Sequence, residues 1–283
     1  MNNERGNITL LLLISMTLII SLAAMVVDVG YLMLEQQRLG DALDAAALAG
    51  AQELINDQLQ AEMIARQYAI ENGVSDPQII IDPVSNTITV NGTKDIPFFF
   101  AKAIGFDQTT IQGSSVAGVK PLSSASGIVP LAIEQQSFEY GALYTLKYGA
   151  QGSSNGNFGA LALGGNGASN YRDNLKYGYQ GKLSIGMKVS TEPGNMSGPT
   201  ESGMRYRIDS GNRVVIVPIV DSLDVNGRAE VTIVGFAAFY LEDVTRSGRD
   251  SVIEGRFLKM IFSGEWDNSG QGDFGLYAVK LVH

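Results

Sequence analysis

Ile8-Thr9-Leu10-Leu11-Leu12-Leu13-Ile14-Ser15-Met16-Thr17-Leu18-Ile19-Ile20-Ser21-Leu22-Ala23-Ala24-Met25-Val26-Val27 runs for 20 residues without a charge, and its only polar members are Thr9, Ser15, Thr17 and Ser21. As a helix rising 1.5 Å per residue it covers roughly 30 Å, the thickness of a bilayer's hydrocarbon core. Twelve of its residues are Leu, Ile or Val. Each favours insertion by about 0.3–0.6 kcal/mol, so the gross gain is on the order of 4–7 kcal/mol. A buried helix of a soluble protein seldom goes this far without a charge. A cleaved secretory signal has an apolar region of only about 7–15 residues, and no clean small-x-small site follows this run. The stretch therefore predicts a single transmembrane anchor. The amino terminus and Arg5 precede it, whereas Asp28, Glu35, Asp41 and Asp44 follow it with only Arg38 opposing them. The positive-inside rule then places the N-terminus in the cytoplasm and the C-terminal bulk outside the cell membrane.

Outward from the span the helical pattern does not stop. Tyr31 to Leu54 is rich in Leu, Ala, Gln and Glu, interrupted only by Gly30, Gly40 and Gly50, so one long helix is expected. Leu32, Leu39, Leu43 and Leu54 fall near a common stripe, and Ala42, Ala46 and Gly50 repeat every fourth position beside it. Leu39, Ala42, Leu43, Ala46 and Gly50 are the predicted helix-packing residues. Such a small-residue surface admits close approach of another backbone. Two readings stand side by side: the stripe packs on the rest of its own chain, or on a helix of another molecule.

Arg5-Gly6-Asn7, the apolar run, Val27-Asp28-Val29-Gly30, Gln37-Arg38-Leu39 and the run Asp41 to Ala51 together resemble the N-terminal domain of TadG-like proteins of the Flp (Tad) pilus assembly system. Tyr68-Ala69-Ile70-Glu71-Asn72-Gly73 and Phe100-Ala101-Lys102 before Ile104-Gly105 agree with it, and the resemblance extends over about residues 1–120. It implies a membrane-anchored structural component of pilus assembly or the associated secretion machinery, with no catalysis of its own and with pilin-like or other assembly proteins as partners. Two departures bear on that expectation. Gly6 after Arg5 is reminiscent of a prepilin peptidase site, yet Leu11 stands where cleaved pilins carry glutamate. Some TadG-like proteins carry a von Willebrand A domain with Asp-x-Ser-x-Ser; here the nearest approach is Asp221-Ser222-Leu223-Asp224.

Downstream, Gln58 to Asn72 reads as a second helix stopped by Asn72-Gly73. Ile79–Ile81 and Thr87–Val90 read as a hairpin, followed by a short helix from Phe98 to Ile104 and a strand from Thr109 to Val119. Pro121 to Gly127 reads as a linker. From Ile128 the chain shows apolar or alternating runs separated by Gly, Asn and Asp, predicting a β barrel or sandwich. Pro218 inside one run marks an edge strand or a bulge, and Asn170–Tyr177 reads as a short helix. The expected fold is α+β: residues 1–30 cytoplasmic tip and span, 31–120 a helical and small α/β domain, 121–127 linker, 128–283 a mainly β extracytoplasmic domain.

Composition narrows the function classes. The 283 residues are 45% hydrophobic and 17% charged, enough for packed cores, and there are no cysteines for disulfides or thiolate metal sites. A net charge of −9 with no Lys/Arg cluster argues against nucleic acid as partner. The only histidine is His283, so the commonest general base and nitrogen ligand is missing from any internal site. No catalytic, cofactor or metal residues and no small-molecule substrate are assigned. Gly164-Gly165-Asn166-Gly167 lacks the Lys-Ser/Thr of a phosphate cradle and reads as a turn. Asp267–Asp273 alternates oxygen ligands but lacks the closing glutamate of a calcium loop. Tyr140, Tyr144 and Tyr148 would share one face of a strand. With the turn-rich segment Thr191–Thr200 they suggest the rival reading, a membrane-tethered module binding cell-wall glycan or a surface protein. An anchored hydrolase would need a serine–base pair that the sequence does not designate.

Overall fold

A computed structural model describes residues 4–148, 157–192, 194–223, 228–247, 250–266 and 272–282, the side chains of 4–7, 148, 157 and 247 excepted. The chain divides into two compact units, residues 1–119 with 279–283, and residues 120–278.

The first unit is organised by one helix. α1 (Glu4–Glu53) is continuous for 50 residues, about 75 Å, because no proline interrupts it and its glycines are single residues among good helix formers. α2 (Gln58–Glu71) folds back on it. It is started by Asp57, whose side chain accepts the Leu59 N–H at 2.8 Å, and is stopped at Asn72 before Gly73 (φ 88°). Ala61, Ala65 and Ala69 are its buried positions, the four-residue repeat of a helix face. A meander follows: β1 (Gln78–Asp82), β2 (Thr87–Pro97) and β3 (Gln108–Pro121), antiparallel in that order. Between β2 and β3 lies a single 3₁₀ turn, Ala101–Ile104, shorter than the helix predicted over 98–104. Val282 N–H donates to the Val116 carbonyl at 2.8 Å, so the end of the chain borders β3.

The meander packs on α1 at two glycines. Gly92 of β2 and Gly113 of β3 are paired in register. A Cβ at Gly92 would come within 3.0 Å of Leu43 Cδ2, and one at Gly113 within 2.8 Å of Leu43 Cδ1. The pair is thus a notch into which the fully buried Leu43 fits, since only hydrogen leaves room for the leucine methyls.

The second unit contains β4 (Ser124–Ala125), β5 (Leu131–Glu134), β6 (Leu143–Tyr148), β7 (Asn157–Ala160), α3 (Ala168–Tyr177), β8 (Leu183–Ser184), β9 (Lys188–Ser190), α4 (Ser197–Asp209), β10 (Val214–Val220), β11 (Glu230–Ser247), β12 (Asp250–Leu258), β13 (Met260–Ile261) and β14 (Leu276–Leu281), the last running on into residues of the first unit. Its strands hydrogen-bond in the order β10-β5-β7-β6-β12-β11. β11 pairs again with β10, which closes a six-stranded barrel and leaves no free edge in the ring. The pairings β10–β5 and β7–β6 are parallel and the other four antiparallel. Pro218 is accommodated just before a register shift at Ile219/Val220.

Both faces of the central strands are covered. Val215, Val217 and Ile219 join one hydrophobic cluster with Tyr171, Leu175 and Met204 of α3 and α4, while Ile216 and Val220 join another with Phe236 and Ala238. That explains why β10 reads as an unbroken apolar run rather than an alternation. Residues 121–127, expected as a linker, carry a fully buried Leu122 and form β4, which pairs with β8. α4 was not foreseen: its first turn contains Gly198 and Pro199, which read as loop. Pro199 is tolerated there because first-turn amides need no intrahelical partner.

Candidate functional site

The site with the most chemistry is the point where α1 leaves its apolar segment. Over Ile8–Val27 the large side chains are exposed, and the hydroxyls of Ser15, Thr17 and Ser21 donate to the carbonyls of Leu12, Leu13 and Thr17 at 2.8–2.9 Å. Intrahelical bonding of polar groups is what a helix in lipid requires. This is the one helix, among the described residues, long and apolar enough to cross a membrane.

Asp28 ends that segment. Its carboxylate is buried and accepts the backbone N–H of Phe99 at 2.8 Å, of Phe100 at 3.1 Å and of Ala101 at 2.7 Å. These amides open the 3₁₀ turn, which has no side-chain cap of its own. Asp28 supplies that cap from about seventy residues away, a charge-assisted arrangement that ties the loop after β2 to the helix. The Tyr31 and Phe99 rings meet edge to face at 5.0 Å.

Two turns further on, Glu35 is buried between Lys94 Nζ at 2.7 Å and Arg38 Nη1 at 2.6 Å. The hydrogen bond from Lys94, then that from Arg38, outweighs burial and holds its carboxyl below the ordinary 4.5. A depressed folded value contributes stability that is present above the unfolded pKa and lost as pH falls through the folded one. Lys94→Met should therefore move the acid-unfolding midpoint of the first unit to higher pH, read by circular dichroism of the detergent-solubilised chain. Gln36 Nε2 also donates to the Gln112 carbonyl at 3.1 Å.

The predicted helix-packing residues come next along α1. Leu39, Ala42, Leu43, Ala46 and Gly50 are all buried, and their cover is the chain itself. A Cβ at Gly50 would meet Ala65 Cβ at 2.7 Å, Ile88 Cδ1 at 2.8 Å and the Ala61 carbonyl oxygen at 2.9 Å. α2 and β2 thus occupy the small-residue stripe, so of the two readings it is the intramolecular one that the packing displays. In the sequence Asp28 reads as a charge that sets orientation and as part of the resemblance motif Val27–Gly30, and Glu35 as a charge that sets orientation. Their spacing from Leu32 and Leu39, three or four residues, already placed them on the inward stripe.

The other candidates resolve differently. Tyr140 precedes β6 and Tyr144 lies within it, sharing a face with the fully buried Leu146. Tyr144 packs edge to face on Phe257 at 4.9 Å, and Tyr140 lies against the same hydrophobic cluster. Burial, then the nearby Asp273 carboxylate, raises the Tyr140 phenol above 10.0. The side chain of Tyr148 lies outside the described residues. In the Thr191–Thr200 segment, Thr191, Glu192 and Thr200 are buried. Glu192 Oε1 accepts the N–H of Gly167 at 2.7 Å at the start of α3, so a carboxylate of the chain occupies the end of the Gly164–Gly167 turn.

Asp221 Oδ1 accepts the N–H groups of Ser222 and Thr232, and Asp224 lies outside the described residues. Of the Asp267–Asp273 loop, residues 267–271 are likewise outside them, and Asp273 accepts from Gly275 N–H at 3.0 Å and Tyr277 Oη at 2.7 Å. Among the described residues no group of three or more His, Cys, Asp or Glu is placed to hold a metal ion.

These features define a class: a membrane-length helix whose second half is the spine of a small α/β unit, followed by a β-barrel unit. Residues 6–53 match the family model described as putative Flp pilus-assembly TadE/G-like. The match covers the span, the Asp28 latch and the packed stripe, and ends where α1 ends. No curated protein and no solved structure matches the chain.

Proposed function

We propose that the chain is a membrane-anchored, non-enzymatic structural component of Flp pilus assembly or its associated secretion apparatus. Its N-terminus is cytoplasmic, and the rest of the first unit beyond the span and the whole second unit are extracytoplasmic. The observation that carries this reading is the coincidence of the TadE/G-like match with α1. The matched residues combine an exposed apolar segment with a buried scaffold. Because the stripe at Leu39–Gly50 is filled by α2 and β2, contacts with other assembly proteins fall on the lipid-facing part of α1 or on the surfaces of the two units. For the alternative, a membrane-tethered module binding cell-wall glycan or a surface protein, the available tyrosine surface is the part of Tyr140 and Tyr144 left uncovered where they pack against the core.

Electron microscopy of surface filaments in cells lacking the chain, with wild type restored, tests the proposal. Filaments should disappear and return with the wild-type chain, which should fractionate with membranes. Unchanged filaments in the deleted strain would refute an assembly role.

A further inference from the structure

The loop after β2 exposes an unusual amount of hydrocarbon. Phe99 is 59% exposed, Phe100 50%, Ile104 76% and Phe106 62%, within Phe98-Phe99-Phe100-Ala101-Lys102-Ala103-Ile104-Gly105-Phe106, whose one charge is the exposed Lys102. Such clustering on a surface marks a contact with something apolar.

Its height along α1 identifies that contact. β2 runs antiparallel to α1, as four contacts show: Asp28 with Phe99–Ala101, Glu35 with Lys94, Leu39 and Leu43 with Gly92, and Gly50 with Ile88. The loop is therefore held level with Asp28, the first residue after the apolar run. The β1–β2 turn at Val84 lies at the far end of an 11-residue strand, about 35 Å away. The exposed Val26, Val27 and Val29 continue the apolar surface of the span up to this level.

We propose that residues 98–106 form a second membrane contact: Phe99, Phe100, Ile104 and Phe106 insert into the interfacial region of the leaflet from which α1 emerges, with the Lys102 ammonium among lipid phosphates. Amphipathic segments with aromatic and aliphatic side chains on one side and a cation at the rim seat in that layer. Asp28 fixes the depth, because its three hydrogen bonds prevent the loop from rising away from the end of the span. Two attachments, one through the bilayer and one on it, restrain the tilt of the first unit about its anchor. This rests on the reading of α1 as a membrane span.

The test places single tryptophans in full-length chain carrying Trp266→Phe: Leu18→Trp in the span, Phe100→Trp and Phe106→Trp in the loop, and Val84→Trp in the 92% exposed turn. Each is reconstituted in vesicles of phosphatidylcholine with about one quarter phosphatidylglycerol, with and without phosphatidylcholine brominated near the methyl end of its acyl chains for position 18 and near their headgroup end for positions 84, 100 and 106. Bromolipid should lower emission about twofold at positions 18, 100 and 106, with blue-shifted spectra at the last two, and leave position 84 unchanged. Quenching at 18 with none at either 100 or 106 overturns the loop contact and assigns the aromatic surface to a protein partner. Absence of quenching at 18 overturns the span itself, and the loop contact with it. Two loop positions are used so that a local disturbance at one does not decide the result.

Discussion

Gly50→Leu is expected to abolish the cooperative unfolding transition of the first unit, while Gly40→Ala, on the same helix, slightly stabilises it. The two glycines look alike in sequence and differ only in what faces them. Around Gly40 nothing lies within 4 Å of an added Cβ. Alanine there gains helix propensity of about 0.5–1 kcal/mol over glycine. At Gly50 even a Cβ would be 2.7 Å from Ala65 Cβ and 2.9 Å from the Ala61 carbonyl oxygen, an atom of the α2 backbone that cannot swing aside. A leucine forces the two helices apart and exposes Leu43, Ala46 and Ala47, so the cost should exceed about 3 kcal/mol, a large share of a small domain's stability. Hydrogen exchange at the α2 amides of the detergent-solubilised chain measures this. Protection equal to wild type in Gly50→Leu would show that α2 does not pack on α1 at that point.

Asp28→Ala acts at the other end of the same unit and leaves its packing in place. It removes the acceptor of three amides, so exchange at Phe99, Phe100 and Ala101 should accelerate by about tenfold or more while α2 stays protected. Acceleration spread evenly over the first unit would instead mean that Asp28 supports the whole fold.

What could be read in the sequence, and what could not, follows the range of the interactions. The span, the continuous helix, α2 and the β1–β2 hairpin rest on composition, period and turn residues within a dozen positions, and each was legible. The latch at Asp28 and the Glu35–Lys94 ion pair join residues about sixty to seventy apart. Their partners, backbone amides and one lysine, leave no local mark. The only sign was two acids on a stripe otherwise filled by Leu32, Leu39 and Leu43, which signals buried acids awaiting partners. α4 was hidden because Gly198, Pro199 and Gly203 lower helix propensity. Gly203 is there for contact, since a Cβ would stand 2.6 Å from Leu175 Cβ of α3. Closure of the sheet into a barrel depends on β10 pairing with both β5 and β11, a matter of long-range register that no single segment encodes.

Gly255→Val should disrupt the barrel as thoroughly as Gly50→Leu disrupts the first unit. Gly255 pairs with Leu241 beside the register shift at Leu241/Asp243, where the extra residue in β11 increases local twist. The strands approach so closely there that a Cβ on Gly255 would lie 2.2 Å from the Tyr240 carbonyl oxygen and 2.5 Å from Phe239 Cε1. Neither can yield: the carbonyl belongs to the ladder, and the Phe239 ring is held at 4.9 Å from Phe257, itself fully buried. Valine adds two methyls to that conflict, so a loss above about 3 kcal/mol is expected. It should appear as loss of the near-ultraviolet signal of the aromatic cluster Phe138, Tyr144, Phe239 and Phe257. A native-like spectrum with unchanged melting would mean that β11 and β12 separate at Gly255 without cost. The same variant, expressed in cells lacking the chain, divides the labour between the units: filaments that persist with a collapsed barrel place assembly on the unit that contains residues 6–53, the stretch matched by the TadE/G-like family model, and filaments that vanish while α2 keeps its protection make the barrel part of the assembly surface.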